Sequence, residues 1–436
     1  MGFGLSQFFP LALYILGFTV ALLTIVYNVK VAIFFFIPLV PLYTVLVKMH
    51  QYPLGKDFVD ILFLAMLMGW AIKGGGFEKN RNTWAIVLFV VITYLGLWQG
   101  SLYLGEGAPI SFRNPRFQDW KNYMLMPLLY FIILNNIRDR KHMKWLIILM
   151  CLSMLFMDQR FYHEFSPRSH SHFRYDVRSS GTFGYLGANH FGAFMVQYSA
   201  VLLGLFFLDK DKRTRFLFLT VMAFNTYSIV FSYSRGAYAA FLAVIGFFGV
   251  TRQRSLLALM TVLLIFWQVV LPVSVVERIN MTQSEEGELD SSAGSRLVLW
   301  QHGIGLFEEN PVFGVGYRVY QFTTRGHLRD PHNMYVSFLA EFGIIGLSLF
   351  LFLFYLAFRS GWHLYRSASD RFLKGLGLGF AACVIGCMVA NAFGDRWSYL
   401  MLGGFYWVFW GMVDRGRVIV AQEREKTIEE DNYTPR

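Results

Sequence analysis

The stretch Arg329-Asp330-Pro331-His332-Asn333-Met334-Tyr335 runs straight into an apolar segment from Val336 to Phe358, and its reading decides the fold. At about 1.5 Å per residue this segment can cross a hydrocarbon layer of roughly 30 Å. Asp330 is a good N-cap, and Pro331 suits the first helical position, where a missing N–H costs nothing. On that reading His332 falls in the first turn of a membrane helix. Unpaired backbone N–H groups and the helix dipole there favour a nearby anion and disfavour imidazolium. A neutral imidazole able to act as a base is then expected at His332. A plain helix end at the membrane surface accounts for the same residues equally well.

Composition extends this reading to the whole chain. Of 436 residues, 55% are hydrophobic and only 15% charged, which excludes an ordinary soluble domain. Apolar runs of about 16–24 residues recur, the length a bilayer requires. The fold class expected is an all-α, polytopic membrane bundle over residues 1–413, with a cytoplasmic tail over 414–436. The formal charge of +11 is carried mostly in short loops between apolar runs, so topology explains it better than nucleic acid does. Cys151, Cys383 and Cys387 lie inside apolar runs and read as small buried hydrophobes, with no disulfide expected. The first residues lack the charged region and cleavage site of a removed leader.

Thirteen candidate spans follow: Phe9–Tyr27, Val31–Val47, Phe58–Ile72, Trp84–Leu104, Tyr123–Ile137, Trp145–Met157, Phe191–Leu208, Phe216–Ser232, Ala237–Val250, Leu256–Leu271, Met334–Phe358, Phe372–Val389 and Tyr399–Val413. Some early runs are short enough to be re-entrant, so about twelve true spans are expected. The basic loops Arg138-Asp139-Arg140-Lys141, Asp209–Arg213, Arg252-Gln253-Arg254 and Arg359–Lys374 should be cytoplasmic. Gln159–His190, Tyr233–Gly236, Pro272–Asn333 and Gly394–Trp397 then face the other side. Within the long segment 272–333, Thr282–Ser292 is acidic and expected to be flexible. Ser295–Glu308 is expected to be an amphipathic helix with Leu297, Trp300, Ile304 and Phe307 on its apolar face. Asn310-Pro311 stops that helix, and Gly314-Val315-Gly316 forms a tight turn.

The residues able to carry chemistry fall in these external loops. They are Arg178, Asn189, His190, Arg235, Arg296, His332 and Asn333, with Glu341 inside the following span. Guanidinium groups bind phosphate oxygens bidentately, so arginines converging near helix starts would suit a diphosphate. Arg235 equally suits an interfacial anchor, and Arg178 and Arg296 equally suit solvated surface charges. Arg318, Arg325 and Arg329 read as solvated or structural. Glu341 is costly in a membrane and should face the bundle interior, as a proton carrier or a hydrogen-bonded structural group. His163, Glu164, His170, His172 and Asp176 do not have the spacing of a familiar zinc motif, and no metal is expected. Neither a P-loop nor a dinucleotide fingerprint is present, which leaves no nucleotide-driven chemistry and no cofactor in the expectation.

Several of these pieces carry a resemblance. Arg178-x-x-Gly-Thr-Phe-Gly, Asn189-His190-Phe191-Gly192, Ser234-Arg235-Gly236-Ala237 and Gly294-Ser295-Arg296-Leu297-x-x-Trp300 come in order. Asn310-Pro311-x-x-Gly314-x-Gly316 and His332-Asn333-x-Tyr335-x-x-x-Leu339-Ala340-Glu341-x-Gly343-x-x-Gly346 follow. Together, over about residues 175–350, they resemble the O-antigen ligase and O-antigen polymerase superfamily. The resemblance implies a twelve-span glycosyltransferase of the Gram-negative inner membrane, with its active site facing the periplasm. The implied donor is a glycan on undecaprenyl diphosphate, with no metal or nucleotide. A ligase passes the glycan to lipid A–core, and a polymerase passes it to another glycan. The family's important arginines and histidine correspond to Arg178, Arg235, Arg296 and His332, each through its own motif. Length mildly favours a ligase. His332 would be the base, the arginines would hold the diphosphate, and Asn189, His190, Asn333 and Glu341 would support them. Direct displacement would invert the anomeric centre. A more remote reading is a proton-coupled transporter relaying through Glu341 and His332, but repeated halves with broken helices are not evident.

The loop assignment is directly testable. Cysteines introduced at Ser284 and Ser367 should differ in labelling by an impermeant thiol reagent in cells with a permeabilised outer membrane, with Ser284 reactive and Ser367 protected. Equal labelling defeats the topology.

Overall fold

The computed structural model describes residues 5–78, 80–165, 171–281, 291–324 and 330–433. Arg325, Arg329, His170 and the acidic stretch 282–290, all discussed above, lie outside the described residues. Among the described residues the regular structure is helical throughout. In chain order the α-helices are α1 Leu5–Val26, α2 Lys30–Phe36, α3 Tyr43–Leu46, α4 Phe58–Ile72, α5 Arg81–Tyr103, α6 Pro115–Asn136, α7 Arg140–Phe165, α8 Ala188–Leu208 and α9 Lys212–Phe231. They continue as α10 Arg235–Thr251, α11 Ser255–Val270, α12 Val273–Asn280, α13 Ser291–Glu309, α14 Tyr320–Thr323, α15 Met334–Ser367, α16 Arg371–Asn391 and α17 Leu400–Tyr433.

Seven of these helices are long and apolar enough to cross a bilayer, or nine elements if each of two bent pairs is one span. The molecule is a multi-pass membrane protein. The expected straight span Val31–Val47 is not one: the chain bends by 107° between Leu39 and Tyr43. Pro38 and Pro41 remove two amide donors there. The carbonyls at the break are taken up by neighbours, Pro38 O by Ser153 Oγ (2.6 Å) and Pro41 O by Thr182 Oγ1 (3.0 Å). A second bend, of 103°, separates α11 from α12.

The basic loops gather at one end of the bundle. Arg140 meets Glu423 at 2.6 Å and Asp370 at 3.8 Å, and Lys144 lies 4.0 Å from Asp209. At the same end α17 passes the expected tail boundary without a break, and Asp414 is buried, accepting from Asn82 (2.6 Å), Tyr130 (2.7 Å) and Arg417 (2.9 Å). At the opposite end lie the loops carrying Arg178, Ser232 and Asn391–Ser398. α1 runs parallel to α4, since Gly17 packs on Phe58 and Thr24 on Gly69. Lys73 donates to Val26 O (3.1 Å), and Tyr14, on the other half of α1, donates to Pro53 O (2.7 Å).

The feature that positions the site is a break inside α15. At Gly343 the backbone turns to φ 62°, ψ −161°, which strands polar backbone groups in the interior. The loop after α13 satisfies them. Val315 N donates to Ala340 O (3.0 Å) and Gly316 N to Glu341 O (2.8 Å), while Ile344 N donates to Pro311 O (2.9 Å). Gly314 and Gly316 both have positive φ, and a Cβ on Gly314 would lie 2.4 Å from the Glu341 backbone. A Cβ on Gly343 would lie 2.4 Å from Val312 O.

α13 lies across the start of α15, but on a face different from the one expected. Leu299 and Leu306 are buried, whereas Leu297 and Ile304 are exposed. The reason is Gly303, which lets the backbone approach so closely that a Cβ there would sit 2.6 Å from Val336. Trp300 Nε1 then donates to Pro331 O (2.8 Å) and Tyr320 OH to Leu299 O (2.7 Å).

Gly343→Ala should therefore lower the thermal midpoint of the detergent-purified protein, because this backbone conformation, essentially confined to glycine, costs an alanine roughly 1–3 kcal/mol. Gly305→Ala is the matched control: a Cβ there meets nothing within 4 Å. It should be neutral or stabilising by up to ~1 kcal/mol. Equal midpoints for the two variants would contradict the clamp.

Candidate anion pocket and base

Five arginines converge at the end of the bundle opposite the basic loops. Arg178 comes from the turn before α8 and donates through Nη2 to Asn189 Oδ1 (2.6 Å) and through Nε to Ser232 O (3.4 Å). Ser232 leads into Tyr233, which is fully buried at φ 52° with its hydroxyl 3.1 Å from Ser274 Oγ. That turn lets Ser234 cap α10, accepting from Ala237 N (3.3 Å), so Arg235 opens the helix. The bend before α12 carries Arg278 inward, where it stacks 5.0 Å from the Phe173 ring and 5.3 Å from the Tyr175 ring. Arg396 sits in the connection from α16 to α17. Its amide donates to Asn391 Oδ1 (3.0 Å), its Nη1 to Asp395 O (3.1 Å), and only 4% of it is exposed. Arg296 completes the set from α13.

All five line one pocket of about 440 Å³, together with Asn189 and Ser234. Burial, joined by the charges of Arg278 and Arg235, lowers the Arg178 guanidinium to about 10. Burial lowers Arg396 to about 10 as well, with Arg296 adding to the effect. Both remain charged at neutral pH. The pocket thus concentrates positive charge in a partly dry setting, which suits an anion with several oxygens. Sequence reasoning found Arg178, Arg235 and Arg296, and the structure brings them together. It missed Arg278 and Arg396. The available signals were the helical spacing of 273–280 and an arginine placed in the short Gly394–Trp397 connection.

His332 differs from expectation in one respect. Asn333, not Asp330, caps α15, accepting from Tyr335 N (3.0 Å) and Val336 N (3.4 Å). His332 lies just before the cap, at φ 51°. The Asp330 carboxylate accepts from the His332 amide (2.7 Å), and its other oxygen is 3.6 Å from the ring Nδ1. The ring therefore stands one residue outside the helix cap. Its pKa is held below the usual histidine value by the protein mass around it, with Asp330 opposing and Arg296 and Arg396 adding to the depression. The ring is still half-exposed. Asn333 is committed to capping, and His190 lies edge-on to Tyr399 at 6.2 Å.

Glu341 belongs to a neighbouring, larger cavity of about 780 Å³. Arg318, read as solvated or structural, lines the same cavity. It is held at φ 58° by the turn after Gly316, with surrounding tyrosines and carboxylates keeping its pKa well above the ordinary arginine value against the effect of burial. Of the acidic and histidine residues considered for metal, Glu164 accepts from Ser179 (2.7 Å) and His172 pairs with Glu277 (2.7 Å). Among the described residues no three metal-ligating side chains converge.

The fold and pocket define a multi-pass helical membrane protein with an arginine-lined pocket at one end. Residues 217–351, from α9 to just past the break in α15, match the O-antigen ligase family model, which supports assignment to the O-antigen ligase superfamily. The matched stretch contains Arg235, Arg278, Arg296, Arg318, His332 and Glu341. Arg178 and Arg396 reach the site from outside it. No curated protein matches the chain.

Arg235→Lys and Arg396→Lys keep the charge but lose the planar fork. Each should lower glycan transfer by about 30- to 1000-fold, the effect of roughly 2–4 kcal/mol in a dry site. Full transfer by either lysine variant at normal expression would remove that residue from the anion site.

Proposed function

We propose that the protein is an O-antigen ligase of the Gram-negative inner membrane. It would move a glycan from undecaprenyl diphosphate to lipid A–core on the periplasmic side. What supports this most is the pairing of a five-arginine pocket with His332, whose ring feels the charges of Arg296 and Arg396. The arginines bind the diphosphate and stabilise the charge left on it as the bond from the anomeric carbon to the phosphate oxygen breaks. An acceptor hydroxyl forms the new bond to that carbon from the opposite face, inverting it, and gives its proton to His332. Undecaprenyl diphosphate departs with the electron pair. The polymerase reading uses the same site with another acceptor. Lipopolysaccharide from a deletion strain separates them: loss of all long glycan with lipid-linked polymer accumulating means a ligase, and core carrying a single repeat means a polymerase.

In proteoliposomes with lipid-linked donor, His332→Ala should lower transfer by roughly 10²–10⁴-fold while donor binding persists. The wild-type rate should be flat through neutral pH, because a ring with a lowered pKa stays an unprotonated base there. The rate should fall only as pH drops below about 6.5, the ordinary imidazole value. Normal transfer by His332→Ala sinks the base assignment, and solute uptake without transfer would make the protein a transporter.

A further inference from the structure

We propose that the cavity beside the arginine pocket is the subsite for the acceptor's hydroxyl-bearing sugar, an inference that rests on the glycosyl-transfer reading above. Its lining includes Tyr123, Tyr317, Tyr399, Arg318, Glu341 and Asp395. Tyr123 and Tyr317 are 2% and 3% exposed, with rings stacked nearly parallel at 6.3 Å. The Tyr123 hydroxyl lies against Trp397 and the Tyr317 hydroxyl against Arg318, and neither contact has the geometry of a well-formed hydrogen bond. Buried hydroxyls are nearly always well satisfied, so two poorly satisfied ones on residues lining one cavity point to a ligand that supplies polar partners. The guanidinium of Arg318 is held 5.8 Å from the Tyr317 ring and 5.9 Å from the Tyr399 ring. A non-glycine residue at positive φ is sustained only where the surroundings over-determine it. Here Tyr317 N donates to Gly96 O (2.8 Å) on one side and Gly316 N to Glu341 O on the other.

The chemistry of this lining differs from that of the arginine pocket. Asp330, Glu341 and Asp395 all contribute to it, and their carboxylates disfavour a second phosphate group. Carboxylates that accept, an arginine that donates and hydroxyls that do both are suited to a sugar's ring of hydroxyls, while aromatic faces cover its apolar C–H surface. The placement fits the acceptor. Asp330 lines this cavity and also touches His332, and Asp395 adjoins Arg396 of the other pocket. A sugar held here therefore has a hydroxyl beside the proposed base and across from the diphosphate.

Tyr317→Phe and Tyr123→Phe test this, because each removes a hydroxyl that has no well-formed hydrogen bond within the described protein. Neither should lower the thermal midpoint. Each should raise the KM for lipid A–core by about 2- to 13-fold, the worth of one hydrogen bond to a neutral group, with the KM for the undecaprenyl diphosphate donor unchanged. An unchanged acceptor KM, or a rise in donor KM instead, overturns the acceptor subsite while the ligase reading stands. If the wild type transfers nothing to lipid A–core, the functional reading fails first and the subsite with it.

Discussion

A membrane helix cannot be interrupted cheaply, because hydrocarbon offers no partner for a freed amide or carbonyl. The break at Gly343 is possible only because the 311–316 loop lies against it and exchanges backbone hydrogen bonds with residues 340–344. Much of the site end of the molecule depends on that exchange. It fixes Tyr317 and Arg318 in the lining of the larger cavity, which Glu341 shares. Ahead of the first part of α15, Pro331 is buried and held by α13 through Trp300, while His332 is exposed. The glycines on both sides of the exchange are required together: each has a positive φ and each occupies a place where a Cβ would clash with the facing backbone.

Charge is then sorted across a short distance. Arginines from five separate segments meet in one pocket, and carboxylates gather in the next. Neither arrangement is favourable by itself, since burying like charges together costs free energy. The lowered values at Arg178 and Arg396 record that cost. Such an arrangement persists when rigid elements impose it, and here they do: Ser234 caps α10, Asn391 and Asp395 fix the α16–α17 turn, and Phe173 and Tyr175 stack on Arg278. The stability forgone is the counterpart of readiness for an anion.

The helical bundle and the clustering of its basic loops were legible in the sequence because bilayer thickness and Lys/Arg placement act locally on the chain. Arg178 and Arg235 were legible because one sits in a marked turn and the other at a helix start, and Arg296 because it lies in a stretch of evident helical periodicity. Arg396 was not, since its burial depends on how α16 and α17 fold back on each other, which no local pattern encodes. Arg278 depends in the same way on the bend ahead of α12. The choice between Asp330 and Asn333 as helix cap could not be made from residue preference, because both are good caps. Tertiary contact decided it: α13 holds Pro331, and the Asp330 carboxylate turns back onto the His332 amide. The same kind of contact moved the buried face of α13, where a small residue at Gly303 outweighed the larger apolar side chains beside it.

His332 stands where the two charge fields meet, and this has a consequence for the proposed reaction. The ring is pulled toward neutrality by burial and by Arg296 and Arg396, and toward protonation by Asp330. An anion seated among the arginines would offset their charge, weakening the depression and making the ring a stronger base. Linkage requires the converse as well, so that a protonated ring would hold the anion more tightly. On the proposed reading, donor binding would thus raise basicity beside the acceptor hydroxyl. The proton taken up during transfer would help retain the diphosphate until the half-exposed ring returned it to solvent. A base buried as deeply as the arginines could be tuned in the same way but would lack that exit, which gives a physical reason for its place at the rim.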